Sequence, residues 1–342
     1  MKRLFVVFCL GLAVMAAMEA LANDQVKKIG ERKTWQCEIT KTTPDSITID
    51  RNGIVDELLV TEIEKITLDS EPAEFSKARE ELSKGQNEDA RDTLQRVKEG
   101  NLSRSLLVAE RSYLLAVANA RIALSGGDVK LQDAMKGLEK FLDKFPRYFR
   151  VRDIQLIYGS MCLQMNKPND AMKCFQELSK CKSDPIVRAQ GLLGVSTVAI
   201  SKGNADEAMK ALSQVKQLLD AGELKARQKE MELSYKIGEA RCATIQKDFD
   251  KAMKIAQAVI NDSSPEDVVN NANAYNTLGL ALVAQGKSKD AILAFLHTHL
   301  LYSKDPSLHS EALTNIAQQW RKLGNDQRAR EWEKIRVDRY GK

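Results

Sequence analysis

Scarcity says much about this sequence of 342 residues. Aromatic residues make up 6% of it and there are seven prolines, against 43% hydrophobic and 29% charged residues. That balance describes an ordered, helix-rich chain, long enough for two domains or one elongated array. Charge of one sign is also lacking: 52 Lys and Arg stand against 47 Asp and Glu, a formal net charge of +5. So small an excess, spread over the chain, implies neither a nucleic-acid surface nor a membrane surface. No C-x-x-C occurs, which argues against a zinc site or a redox pair. The G-x-x-x-x-G-K-[ST], G-x-G-x-x-G and G-x-S-x-G patterns are absent too. Without them no phosphate-cradling loop, bound cofactor or serine elbow is expected. Paired acids such as Glu80 and Glu81, or Glu331 and Glu333, are what solvated helix faces carry, so no enzyme is indicated.

Long hydrophobic runs are confined to the beginning. Met1, Lys2 and Arg3 precede an apolar stretch from Leu4 to Ala17, and Ala20-Leu21-Ala22 comes after it. A basic start, a short apolar core and an A-x-A end predict a secretory signal peptide over residues 1–22, cleaved after Ala22. The alternative, an uncleaved anchor, suffers from a run shorter than the roughly 20 residues that span a bilayer. The remaining chain is expected to be soluble and exported to the periplasm, envelope or exterior. Removing Lys2, Arg3 and Glu19 leaves a net charge of +4. Of the cysteines, Cys37, Cys162, Cys174, Cys181 and Cys242 would remain, an odd number with no disulfide-framework spacing. All five are expected as small apolar core residues, a Cys162–Cys174 bridge between facing helices being the alternative.

Two periodicities divide the rest. Residues 33–68 alternate with period two: Trp35, Cys37 and Ile39 share a face, and Ile47 and Ile49 repeat it after the turn signal Thr43-Pro44-Asp45. Asn52-Gly53 suits a tight hairpin, and runs from Ile54 to Val60 and Ile63 to Leu68 come next. Four short strands over residues 23–70 predict a small SH3-like β module, which either binds through a sheet edge or caps the helical array. From Glu71 to the C-terminus the period is helical. In "ANAYNTLGLALVAQGKSKDAILAF", residues 272–295, Tyr275, Leu278, Gly279 and Leu282 form one stripe. Gly286 then turns the chain, and Ala291 and Phe295 begin a second buried face.

This unit resembles the tetratricopeptide repeat, whose two antiparallel helices pack through small residues at the eighth and twentieth places, here Gly279 and Ala291. Weaker copies are marked by Ala90, Ala134, Ala171, Ala208, Ala252 and Ala329. The resemblance implies a mainly α, TPR-like solenoid of about seven helix pairs over residues 71–342. Intervals of 37 to 44 residues between most markers exceed the usual repeat of about 34, which implies longer helices or loops near Ser125–Asp128 and Asp220–Gly222. The layout also resembles exported bacterial proteins in which a small β module precedes divergent repeats.

Such arrays bind extended partners on the face lined by the first helix of each pair. The family's groove positions fall here on Gln190, Leu193, Thr197 and Ile200; on Ser234, Ile237, Arg241 and Thr244; on Asn273, Asn276, Leu280 and Val283; and on Glu311, Thr314, Gln318 and Arg321. Mixed apolar, amide and Arg residues suit a peptide or helix of a protein partner. Asn273, Asn276 and Arg241 head the candidates for directional bonds, with Thr197, Gln190, Gln318 and Arg321. His297, His299 and His309 are expected to pack rather than hold metal, since the first two point some 200° apart on a helix. The basic, aromatic stretch Phe145–Arg152 is expected as an inter-repeat junction with solvated Arg side chains; a nucleic-acid clamp is the alternative.

Overall fold

The computed structural model describes residues 23–340; the proposed leader, residues 1–22, lies outside the described residues. Five strands come first: β1 (Asp24–Lys28), β2 (Thr34–Thr42), β3 (Ser46–Arg51), β4 (Ile54–Leu59) and β5 (Ile63–Thr67). They form one antiparallel sheet in the order β4-β3-β2-β1-β5. The alternation in the sequence places Cys37, Ile39, Ile47 and Ile49 in its core. Asn52 and Gly53 both take positive φ, 55° and 88°, closing the β3–β4 hairpin as the Asn-Gly pair predicts. The sequence pattern suggested four strands. Strand β1 escapes it because DQVKK carries a single buried apolar residue, Val26; its place is fixed by pairing with β2 on one side and β5 on the other.

Among the described residues fourteen helices succeed the sheet, and consecutive ones pair: α1 (Ala73–Ser83) with α2 (Asn87–Gln95), α3 (Ser105–Leu124) with α4 (Leu131–Lys144), α5 (Val151–Gln164) with α6 (Pro168–Ser179), and α7 (Pro185–Ser201) with α8 (Ala205–Asp220). The last three pairs are α9 (Gln228–Ile245) with α10 (Phe249–Asp262), α11 (Val268–Ala284) with α12 (Ser288–Leu301), and α13 (Pro306–Lys322) with α14 (Asp326–Tyr340). The seven marker alanines each occupy the fourth position of a second helix, and each is buried. Each pair turns through one residue of positive φ: Gly85, Gly126, Asn166, Gly203, Lys247, Gly286 and Gly324. Asn tolerates that conformation and Gly prefers it; Lys247 is the exception. The long intervals have the expected source, a 20-residue α3 with the Ser125–Lys130 connection after it, and the segment 221–227 between α8 and α9.

The small residues act against large rings. A Cβ on Gly279 would stand 2.6 Å from the ring of Phe295, which is fully buried and has nowhere to retreat. Phe175 on α6 is held the same way twice, by Gly159 of its own pair and Gly194 of the next. Adding a methyl group there forces overpacking that costs about 1–3 kcal/mol. The gain in helix propensity, about 0.5–1 kcal/mol, does not offset it.

Sheet and helices are joined by buried polar contacts. The carboxylate of Asp24, fully buried at the start of β1, accepts bonds from the amides of Ile39 (2.8 Å) and Asp69 (2.7 Å). It also receives both terminal nitrogens of Arg104, at 2.6 and 2.8 Å, just ahead of α3. Thr42 donates to the carbonyl of Arg147 (2.9 Å), and Arg152 and Ser183 both bond to Asp45 in the β2–β3 turn. The stretch 145–152 is therefore a junction, and of its three Arg side chains Arg147 is exposed as expected while the other two are not free in solvent. Arg152 is anchored to the sheet, and Arg150 lies 3.4 Å from Glu110, to which Arg79 and Tyr148 also donate at 2.8 Å. Tyr148 and Phe149 are buried at the same seam, so neither ring is open to stack on a base.

Breaking a buried ion pair by neutralising one partner leaves the other charge uncompensated, at a cost of about 3–5 kcal/mol. Asp24→Asn is thus expected to lower stability in urea titration by about 3 kcal/mol or more. The loss should register first in the fluorescence of Trp35, which lies under the Arg51 guanidinium of the sheet.

Candidate binding groove

The first helices of the pairs line a concave groove of about 650 Å³. It runs diagonally, from the end of α3 (Leu124) and the middle and end of α5 (Leu156, Leu163) across α7 and α9 to the N-terminal ends of α11 and α13 (Val269, Asn273, Leu308, Glu311). The path is diagonal because each helix pair is rotated relative to the one before.

Of the candidate side chains, Gln190, Thr197, Arg241 and Asn273 line this groove together with Leu193, Ile200, Ser234, Ile237 and Glu311. Asn276 does not: it is fully buried, and its carboxamide is used within the protein. Its Nδ2 donates to the carbonyl of Leu308 (2.9 Å) and to Glu311 Oε2 (2.8 Å), while its Oδ1 accepts from Thr298 (2.8 Å). Direct contact between Asn276 and a ligand is therefore corrected to a supporting role behind the groove wall. Gln318 and Arg321 sit at the C-terminal end of α13, beyond the diagonal; Arg321 is surface-exposed and pairs with Glu333 at 2.8 Å. Sequence reasoning missed Leu156, Leu163 and Met231. The first two lie seven residues apart on α5, a signal that was readable in a repeat whose groove positions were not assigned.

Arg241 organises the polar part of the wall. It donates to Thr277 Oγ1 (3.2 Å), Asn273 Oδ1 (3.1 Å) and Glu311 Oε2 (2.9 Å), joining α9, α11 and α13 across three repeats. Glu311 in turn accepts from Asn276, and Ser234 on α9 donates to Asn270 on α11 at 3.1 Å. Thr197 and Ser196 both donate to the carbonyl of Leu193. These polar groups satisfy one another, leaving a surface that works by shape and apolar contact, with charges already paired.

Nucleophiles and metal ligands do not gather here. All five described cysteines are free thiols, so the Cys162–Cys174 bridge is not formed. Burial pushes the thiols of Cys37, Cys174 and Cys242 up to about 11, which keeps them protonated at neutral pH. His297 stacks on Tyr275 with ring centres 4.5 Å apart, and His299 and His309 meet at 2.7 Å away from the groove. Among the described residues no group of three or more His, Cys, Asp or Glu could hold a metal ion, and no helix is long and apolar enough to cross a membrane.

Neither a family model nor a curated protein matches the sequence. Solved structures do. A tetratricopeptide repeat protein from Parabacteroides merdae superposes with a TM-score of 0.51 at 15% identity, over 78% of this chain and 91% of that one. A Rap protein in complex with Competence and Sporulation Factor gives a TM-score of 0.55 at 14% identity, over 78% and 76%. The protein is thus a helical-repeat protein. Its fold is TPR-like, a solenoid of paired helices behind a five-stranded antiparallel sheet.

Hydrogen bonds to charged groups contribute about 1.5–3 kcal/mol each where they are shielded. Arg241→Ala, which strips three bonds from a partly buried guanidinium, is expected to cost about 2 kcal/mol and to raise amide exchange in both α11 and α13. Arg321→Ala, at an exposed pair, should leave both measurements unchanged.

Proposed function

We propose that this protein is a non-catalytic, exported scaffold that captures an extended peptide segment of a protein partner in the concave groove. The observation that carries the reading is the groove itself: six repeats contribute apolar side chains to one continuous concavity, and the charges of Arg241 and Glu311 on its wall are already paired. A surface of that kind suits a partner recognised along its length, and it offers no group poised for proton transfer or covalent attack. The Rap structure, solved with Competence and Sporulation Factor bound, lends support through a shared fold. Export rests on the composition of residues 1–22, and no cofactor is invoked. The sheet, residues 23–70, we read as an SH3-like module capping the helical domain, residues 71–342, since Asp24, Thr42 and Asp45 fasten it to the helices.

A photo-crosslinking residue at Gln190, inside the groove, should trap a protein partner in the native cell, whereas one at the exposed Leu300 of α12 should not. Thr197→Tyr, which fills the groove from an exposed position, should abolish the Gln190 adduct. Equal trapping from both faces would refute capture in the groove. Fractionation of the same cells, with mass spectrometry of the mature N-terminus, tests export: a species beginning at Asn23 is expected.

A second reading, self-association as an envelope assembly component, is favoured by β4. Among the described residues that strand pairs only with β3 and leaves its other edge free, and it exposes Ile54 and Val55. Free edges of this kind pair with other strands. If β4 is the contact, light scattering will show a concentration-dependent dimer that Val55→Lys removes; a monomer at all concentrations rules it out.

A further inference from the structure

The two ends of the groove come back together. Leu124, at the end of α3, lines the same concavity as Asp305, Pro306 and Leu308 at the start of α13, although four repeats lie between them. Outside the groove the contact is tighter still. The turn after α3 packs so closely on the last residues of α14 that a Cβ on Gly126 would collide with the carbonyl oxygen of Arg339, and it would lie 3.7 Å from the ring of Tyr340. Gly126 also holds a φ of +78°, so the position is closed to other residues twice over.

Tyr340 is itself held by a short relay. Its hydroxyl stands 2.6 Å from Nδ1 of His309, whose Nε2 stands 2.7 Å from Nδ1 of His299. His309 is fully buried, and the ring of Trp332 closes edge-on against His299 at 5.1 Å. We propose that the helical array closes into a ring where the α3–α4 turn meets the end of α14, and that the His299–His309–Tyr340 relay is the latch, released by acid. The inference rests on the groove being the binding site, whose access the latch would control.

The hydrogen-bond chemistry gives the latch its direction. A neutral His309 offers one donor and one acceptor, which lets the chain Tyr340–His309–His299 run in a single sense. The first added proton must enter a buried site, and a second turns the 2.7 Å contact between the imidazoles into donor facing donor. Arg339 from α14 faces both imidazoles, Tyr340 bonds to His309, and Asp305 from the turn before α13 faces Tyr340. Burial first, then Arg339, holds both imidazoles below their ordinary value, His309 down to about 4. A depressed imidazole therefore binds its proton more readily in the open form. Closure is intact above pH 6.5 and weakens progressively as pH falls from 6.5 towards 4. At pH 5 the open-to-closed ratio should rise about 30-fold for His309 alone.

The test uses the full chain without a partner, so its outcome is independent of whether the groove captures anything. Small-angle scattering should show a larger maximum dimension at about pH 5 than at about pH 7.5, either side of the window that linkage sets. Amide-exchange protection in the last turn of α14, corrected for the intrinsic effect of pH, should fall about 30-fold. Tyr340→Phe, which removes one oxygen and keeps the ring, should already be open at the higher pH. His309→Gln should lose the pH response; if circular dichroism shows that this variant does not fold, Tyr340→Phe decides alone. Unchanged scattering and protection between the two pH values, or a Tyr340→Phe protein as closed as the parent at the higher one, would overturn the latch. Adducts at Gln190 could still form in that event, and their absence would count against the groove without touching the latch.

Discussion

Close approach of paired helices is the constraint on which the rest of this molecule depends. Wherever a second helix crosses a first, a buried alanine stands at its fourth position, and in the best-formed pairs a glycine opposite accepts an aromatic ring. Phe175 shows the consequence most plainly: it fills the notch of Gly159 in its own pair and that of Gly194 in the next. One ring thus sets both the packing within a repeat and the step between repeats. Interiors packed to this density transmit a fixed rotation from unit to unit rather than absorbing it. Six such pairs, the second to the seventh, curve the array far enough for the end of α14 to reach the turn after α3.

Curvature of that kind creates the groove and dictates what can sit on its wall. The first helices converge there, so their polar side chains meet one another before they meet a ligand. Arg241, Asn273, Asn276, Thr277 and Glu311 form one ladder across three repeats. Partly buried charges have to be paired, because the cost of leaving them unpaired exceeds what a transient partner could return. The groove accordingly keeps its shape when empty and presents mainly apolar surface. The sheet is tied on by the same logic, with Asp24 receiving a bidentate Arg104 and two backbone amides at the one place where β1 begins.

Helix pairing, the seven units, the Asn-Gly hairpin and the alternating core of the sheet were all legible in the residues, since each is a local pattern that recurs at a fixed interval. Gly279, Ala291 and Phe295 could be assigned their partners without coordinates. Strand β1 could not be read, because five residues with one apolar side chain carry no period of their own. Within the groove, Gln190, Thr197, Arg241 and Asn273 came from repeat position alone. Asn276, Gln318 and Arg321 came from the same positions but do not line the groove, for two reasons. Repeat position says which helix face a residue occupies, but it does not say how deep the next helix buries it, nor where along that helix the groove passes.

The amino-acid sequence by itself determined the class of architecture, a strand period and then a helix period with small residues where helices must touch. Only the tertiary structure decided which polar groups are spent on one another and which remain at the surface. It alone brought Gly126 of the turn after α3 to Arg339 of α14, residues that stand 213 apart. The physical reason is one of range. Periodicity reports the faces of single elements, whereas the accumulated rotation of six packed pairs, which no single repeat encodes, sets what meets across the ring.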